Sequence, residues 1–187
     1  MARCVRGVLF SDYVRMIRAT KGVDWTAKLD PTDMALVLQH VAKERWYPMA
    51  SFERLGEAIL REIAKGDLNV VRVWGRFSAD PLSEKNPELV AHDDPADTLM
   101  RFRVLRSTYF DFEALRIPTL THDHAHIVIH YHMGPVAEEA ACYQTMGFFE
   151  RLVELAGGDG VDSRFVERAW KGDERTLLQL RWKPPAP

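Results

Sequence analysis

Near residue 110 the apolar residues of this chain change period, and that change limits the fold more than any motif does. Before it they recur at helical spacing; after it they alternate as on strands. Leu9, Tyr13 and Ile17 predict a first helix stopped at Gly22. Asp30-Pro31 supplies an N-cap and a first-turn proline to a second, carrying Met34, Val37, Leu38 and Val41. Trp46-Tyr47-Pro48 breaks it. Ser51 reads as the cap of a third, with Phe52, Leu55, Ile59 and Ile63 on one face and a stop at Lys65-Gly66-Asp67. Residues 68–77 fit a short strand or a buried helix and are read as helix. Residues 81–95 read as a polar loop. Asp94-Pro95 repeats the cap signature before Leu99, Phe102 and Leu105, in a helix running to about Tyr109.

Beyond that point, 114–120 and 124–132 read as strands and Gly134-Pro135 as a stop. A long helix over 136–156 ends at Gly157-Gly158. Strands over 163–170 and 175–182 flank the turn Lys171-Gly172-Asp173-Glu174. Thr176, Leu178, Leu180 and Trp182 face one way. The expected class is α+β: a helical half over about 1–110, then a β-β-α-β-β antiparallel sheet over about 111–183, in one domain spanning 1–187. Pro184-Pro185-Ala186-Pro187 reads as a frayed tail.

Five of the seven histidines fall between His122 and His132. On a strand, His122, His124, His126, His130 and His132 share one face, while Ala125, Ile127, Ile129 and Tyr131 share the other, which suits a core. A His-x-His pair sets two imidazoles on one side of a strand, roughly 6–7 Å apart at the backbone. The row can hold a divalent metal, respond to pH or form a solvated face. No HExxH or CxxC motif supplies further ligands.

The chain has 187 residues, is 47% hydrophobic and carries a formal charge of -2. That balance argues against general nucleic-acid binding. No apolar run approaches the ~20 residues that span a bilayer, so no membrane partner is expected. Cys4 and Cys142 are isolated, and no signal segment is visible; a reduced, cytoplasmic setting is expected. Cys142 lies on the apolar side of its helix, as an inert thiol would. Arg101, Arg103 and Arg106 crowd one helix and are an anion-binding candidate, or an exposed face balanced by Asp93, Asp94 and Asp97. No nucleophile elbow or phosphate loop is present, so no catalytic residue is assigned. Gly157-Gly158-Asp159-Gly160 follows a helix instead of opening one, and reads as terminator and turn.

This order of elements resembles the haem-nitric-oxide/oxygen-binding (H-NOX) fold and the related vinyl-reductase-type domains. Gly7-Val8-Leu9-Phe10, Trp46-Tyr47-Pro48 and Val73-Trp74-Gly75-Arg76 also resemble an uncharacterised family of myxobacteria and related bacteria. The first resemblance implies a haem-ligating histidine on the helix before the sheet; residues 99–106 contain none, and His92 lies upstream. It also implies a Tyr-x-Ser-x-Arg motif for the haem propionates. Tyr131 matches the tyrosine, but Met133 and Pro135 take the serine and arginine slots. The resemblance therefore implies the fold, with degenerate haem motifs and no bound haem expected. It further implies a ligand cavity between helical half and sheet, for which Trp46, Tyr47, Trp74, Phe102, Tyr131 and Phe148 are candidates.

The function expected is a non-enzymatic sensory or regulatory module that binds a small apolar molecule or a protein partner between its two parts. The alternatives are a metal-binding protein, conceivably a metal-dependent enzyme, built on the histidine strand, and a scaffold that forms a homodimer.

Overall fold

The computed structural model describes residues 3–184. Proline tail residues 185–187 lie outside them. Strand β1 (Cys4–Arg6) leads into helix α1 (Gly7–Ala19), and α2 covers Pro31–Leu38. Strand β2 (Trp46–Pro48) pairs antiparallel with β1, so the expected helix break is itself a strand. Helix α3 (Met49–Glu62) follows directly. Ser51 is therefore not its cap: it lies buried inside the first turn and accepts a hydrogen bond from Arg54.

Helix α4 (Leu68–Lys85) settles the strand-or-helix question, and it runs through Pro81 over part of the expected loop. Pro81 cannot donate to the Phe77 carbonyl. Packing carries the helix past it: Ala79 is fully buried, and Asp80 pairs with Arg151 at 2.8 Å. Asp94 accepts from the Asp97 amide and opens α5 (Pro95–Leu105) as its sequence predicts.

Strands β3 (Leu115–Leu120) and β4 (His124–Ile129) form a hairpin. Helix α6 (Pro135–Leu155) then crosses the sheet, and β5 (Asp159–Glu167) and β6 (Thr176–Lys183) complete it in the order β3-β4-β6-β5. All pairings are antiparallel. Strand β5 begins earlier than expected, so Asp159-Gly160 opens a strand instead of closing a turn. The inward face of β4 and β6 carries Ala125, Ile127, Ile129, Leu178 and Leu180, all fully buried under α6. This core is continuous with the helical half through Phe10, Leu55 and Leu99. No helix among the described residues is long and apolar enough to cross a membrane.

Helices α4 and α6 touch backbone to backbone. A Cβ on Gly75 would strike the Gln144 carbonyl, and one on Gly147 would strike the Arg72 carbonyl. Ion pairs lock the same crossing. The Glu150 carboxylate is buried and accepts from Arg72 at 2.6 and 3.0 Å, from Arg76 at 3.2 Å and from the Ser163 hydroxyl. Arg76 also reaches Glu154 at 2.6 Å.

Candidate functional site

The glycine-locked crossing holds one wall of a cavity of about 550 Å³. Each helix around it contributes one stripe. From α4 come Trp74, Phe77, Ser78, Pro81, Leu82 and Lys85; from α6, Ala141, Gln144, Thr145, Phe148 and Phe149. Helix α1 faces them with Val8, Leu9, Asp12, Tyr13, Arg15 and Met16. Phe102 of α5, with Phe110, Leu115 and Tyr131, closes the inner end.

Aromatic rings crowd the interior. Phe102 meets Phe149 edge-on at 5.1 Å and Phe148 at 5.2 Å. Its few polar atoms are engaged. Tyr131 and Thr145 share a hydroxyl hydrogen bond of 2.7 Å, and the Tyr13 hydroxyl donates to Gln144 at 2.9 Å. Burial pushes both phenols up, so both stay neutral. The half-buried phenol of Tyr109 is pushed up to about 12 for the same reason. This is the composition of a small-molecule site: apolar walls with a few oriented polar groups.

Four of the six residues expected to line a pocket do line it: Trp74, Phe102, Tyr131 and Phe148. Trp46 and Tyr47 do not. Strand pairing of β2 with β1 turns Trp46 outward, where the Arg6 guanidinium lies 4.1 Å from its ring centroid. Tyr47 stacks on Phe10 at 4.6 Å and accepts from the Ala42 amide at 3.0 Å. The α1 wall was not among the residues expected from the sequence. Its signal was present as a mixed polar and apolar stripe, Val8, Asp12, Arg15 and Met16, at helical spacing.

The histidine row runs past the end of its strand. Strand β4 ends at Ile129, His130 keeps the alternation between buried Ile129 and Tyr131, and the chain turns at His132, which has a positive φ of 58°. His122 is exposed ahead of the strand. His124 Nδ1 lies 2.9 Å from Asp123 and 2.6 Å from Thr121, and this pairing holds the Asp123 carboxyl down to about 2. Arg164 donates to the Gln179 carbonyl oxygen, so the Gln179 amide donates to His126 Nε2 at 2.9 Å. That bond requires the unprotonated nitrogen, in agreement with the downward shift that burial gives His126. Burial likewise lowers His130 and His132. Among the described residues, no three His, Cys, Asp or Glu side chains gather as a metal site would need.

The three arginines of α5 do not converge either. Arg101 binds Asp97 and the Glu88 carbonyl, each at 2.6 Å; Arg103 is exposed; Arg106 turns to Glu113 at 3.7 Å. Cys142 is fully buried, and burial drives its thiol well above the ordinary range.

The fold that places this cavity between a helical half and a four-stranded antiparallel sheet is the H-NOX fold. An H-NOX protein from S. oneidensis in the Fe(II) ligation state superposes with a TM-score of 0.67 at 13% identity, covering 97% of both chains. The unliganded Fe(II) H-NOX protein from K. algicida gives 0.67 at 10% identity, covering 97% of this chain and 98% of that one. A T. tengcongensis H-NOX mutant gives 0.62 at 14%, covering 97% and 99%. No protein-family model and no curated protein matches the sequence.

The residues present do not fit a haem ligated through histidine. None of the histidines lines the cavity; α5 presents Phe102 to it, and the His92 side chain is 93% exposed. The Tyr131 and Tyr13 hydroxyls on the cavity wall are already engaged, by Thr145 and Gln144. The segment between β4 and α6 is fastened by carboxylates: Glu138 accepts from the amides of Tyr131 and Met133 at 3.2 and 2.9 Å, and Glu53 from Gly134 at 2.7 Å. Those carboxylates take up amides of the segment, and the Met133 and Pro135 side chains offer no donor to a propionate.

Proposed function

We propose that the protein is a non-enzymatic sensory module that admits an organic ligand, and not haem, to the cavity between its helical half and its sheet. The observation that carries this reading is the aromatic cavity with no histidine on its wall. The H-NOX neighbours include an Fe(II) form and a protein used to probe haem distortion. Their architecture supports a sensory role here, with the chemistry of the cavity changed.

The ligand would act by differential affinity. The α4/α6 wall is locked by glycines and ion pairs; α1 belongs to the small unit made with β1, β2 and α3. A ligand that packs better against one placement of α1 shifts the population toward it, and a partner protein reads that shift at the surface.

Native mass spectrometry on untagged protein, as purified and after incubation with haem, tests the reading, with absorbance recorded in parallel. The expected result is an organic adduct or uptake of an added apolar ligand, with no stoichiometric haem and no sharp Soret band. Stoichiometric haem with a ligated spectrum would overturn it.

A further inference from the structure

The cavity-lining residues divide by exposure, and the exposed ones mark its opening. Arg15, Lys43, Lys85 and Phe77 are exposed; Trp74, Phe102, Tyr131 and Phe149 lie inside. The mouth therefore carries three cations, and the one carboxylate among them is Asp12. Arg15 already holds Asp12 at 2.8 Å. Neither lysine ammonium has a carboxylate within 4.0 Å among the described residues. Both lysines and Arg15 nevertheless lie near enough to Asp12 to draw its pKa down against the stronger upward effect of its burial.

From this arrangement we infer that the cavity selects an anionic amphiphile: an elongated apolar body inside, and a carboxylate at the mouth between Arg15, Lys43 and Lys85. The inference rests on the ligand-binding reading above and names the class of ligand. The geometry suits an elongated shape. Trp74 and Lys85 lie on one stripe of α4, eleven residues and so roughly 16 Å apart along the helix axis. A ligand lying along that stripe places its tail on Trp74 and the phenylalanines and its head beside Lys85. A mouth dominated by one sign of charge also concentrates anions before they enter. Asp12 opposes the incoming head and sets the strength of the preference. The cationic mouth is built from α1, α4 and the loop before β2. It is separate from the β4–α6 segment, whose amides are taken up by Glu138 and Glu53.

The test is isothermal titration calorimetry on the full chain with decanoate and decan-1-ol, both below their aggregation limits, at low and physiological salt. Decanoate is expected to bind about tenfold more tightly than the alcohol, with the ratio shrinking as salt rises. Affinity for a carboxylate series should rise about fourfold per buried methylene until the cavity is full. In Lys43→Gln/Lys85→Gln the ratio falls toward one, and in Asp12→Asn it rises. Both lysines are exposed, so packing is untouched; Lys85→Gln alone should give an intermediate ratio. Equal binding of acid and alcohol overturns this inference and leaves the cavity reading standing. Binding of neither overturns both.

Discussion

Helix α6 packs in two opposite ways along its length. At Gly147 it meets α4 so closely that not even a methyl group fits. Two turns earlier, at Ala141, it borders open space. The same pair of helices thus builds a rigid joint and the wall of a cavity. The lesson is that the empty space is not loose packing. It is framed by the backbone-to-backbone contact of α4 with α6 and by the buried Glu150 carboxylate with half-buried Arg72 and Arg76, which fix where Trp74 and Phe148 stand.

The contrast can be broken first at the joint. Gly147→Ala, or Gly75→Ala, forces apart two backbones that cannot yield like flexible side chains. A destabilisation of about 3 kcal/mol is expected, and a fall in Tm of roughly 6–12 °C by calorimetry. A fall of less than a degree would mean that the crossing is not rigid. Glu150→Gln should cost about 2 kcal/mol in urea denaturation, because two half-buried guanidiniums lose a charged acceptor.

The cavity side should respond in the opposite sense. Ala141→Leu adds more volume than Gly147→Ala, yet points into open space. Stability should change by less than about 1 kcal/mol, while affinity for decanoate falls at least about tenfold. A large loss of stability would show that the space at Ala141 is already filled.

The smallest expected effect lies on the sheet, away from both. His126, His130 and His132 have pKa values lowered in the fold, so folding favours their neutral forms. Their contribution is complete above the ordinary value of 6.5 and is lost as pH falls through it toward the depressed values. Urea midpoints at pH 8 and pH 5.5 should differ in that direction, and His126→Gln should flatten the difference. Buried Glu138 and half-exposed Asp12, raised in the fold, act with the opposite sign at lower pH, favouring the fold most below their ordinary values.

Much of this architecture was legible in the sequence because it depends on period and caps. Asp30, Asp94 and Gly157 mark helix ends as read, and alternation in 176–182 predicts a buried face that the structure shows. What failed depended on partners distant in sequence. Nothing local to Trp46-Tyr47-Pro48 announces that β1 will pair with it and turn Trp46 outward. Pro81 reads as a breaker because Arg151, which secures Asp80, comes seventy-one residues later. Strand β4 stops before His130 because the chain must turn at His132 to enter α6, a turn that the alternation of residues 124–132 does not announce. At the cavity, the aromatic residues of α4, α5 and α6 stood out by type. The α1 wall and the charged mouth did not, because Asp12, Arg15, Lys43 and Lys85 look like ordinary surface charge until the fold gathers them.

An open apolar cavity sits against a locked helix crossing. The most direct measurement is a crystal structure of the protein under xenon pressure, since xenon enters apolar cavities that water leaves empty. Xenon density is expected between Trp74, Phe102 and Phe148, with the contacts of Gly75 with Gln144 and of Gly147 with Arg72 unchanged. Absence of xenon, with Phe102 and Phe148 rotated to fill the space, would contradict it.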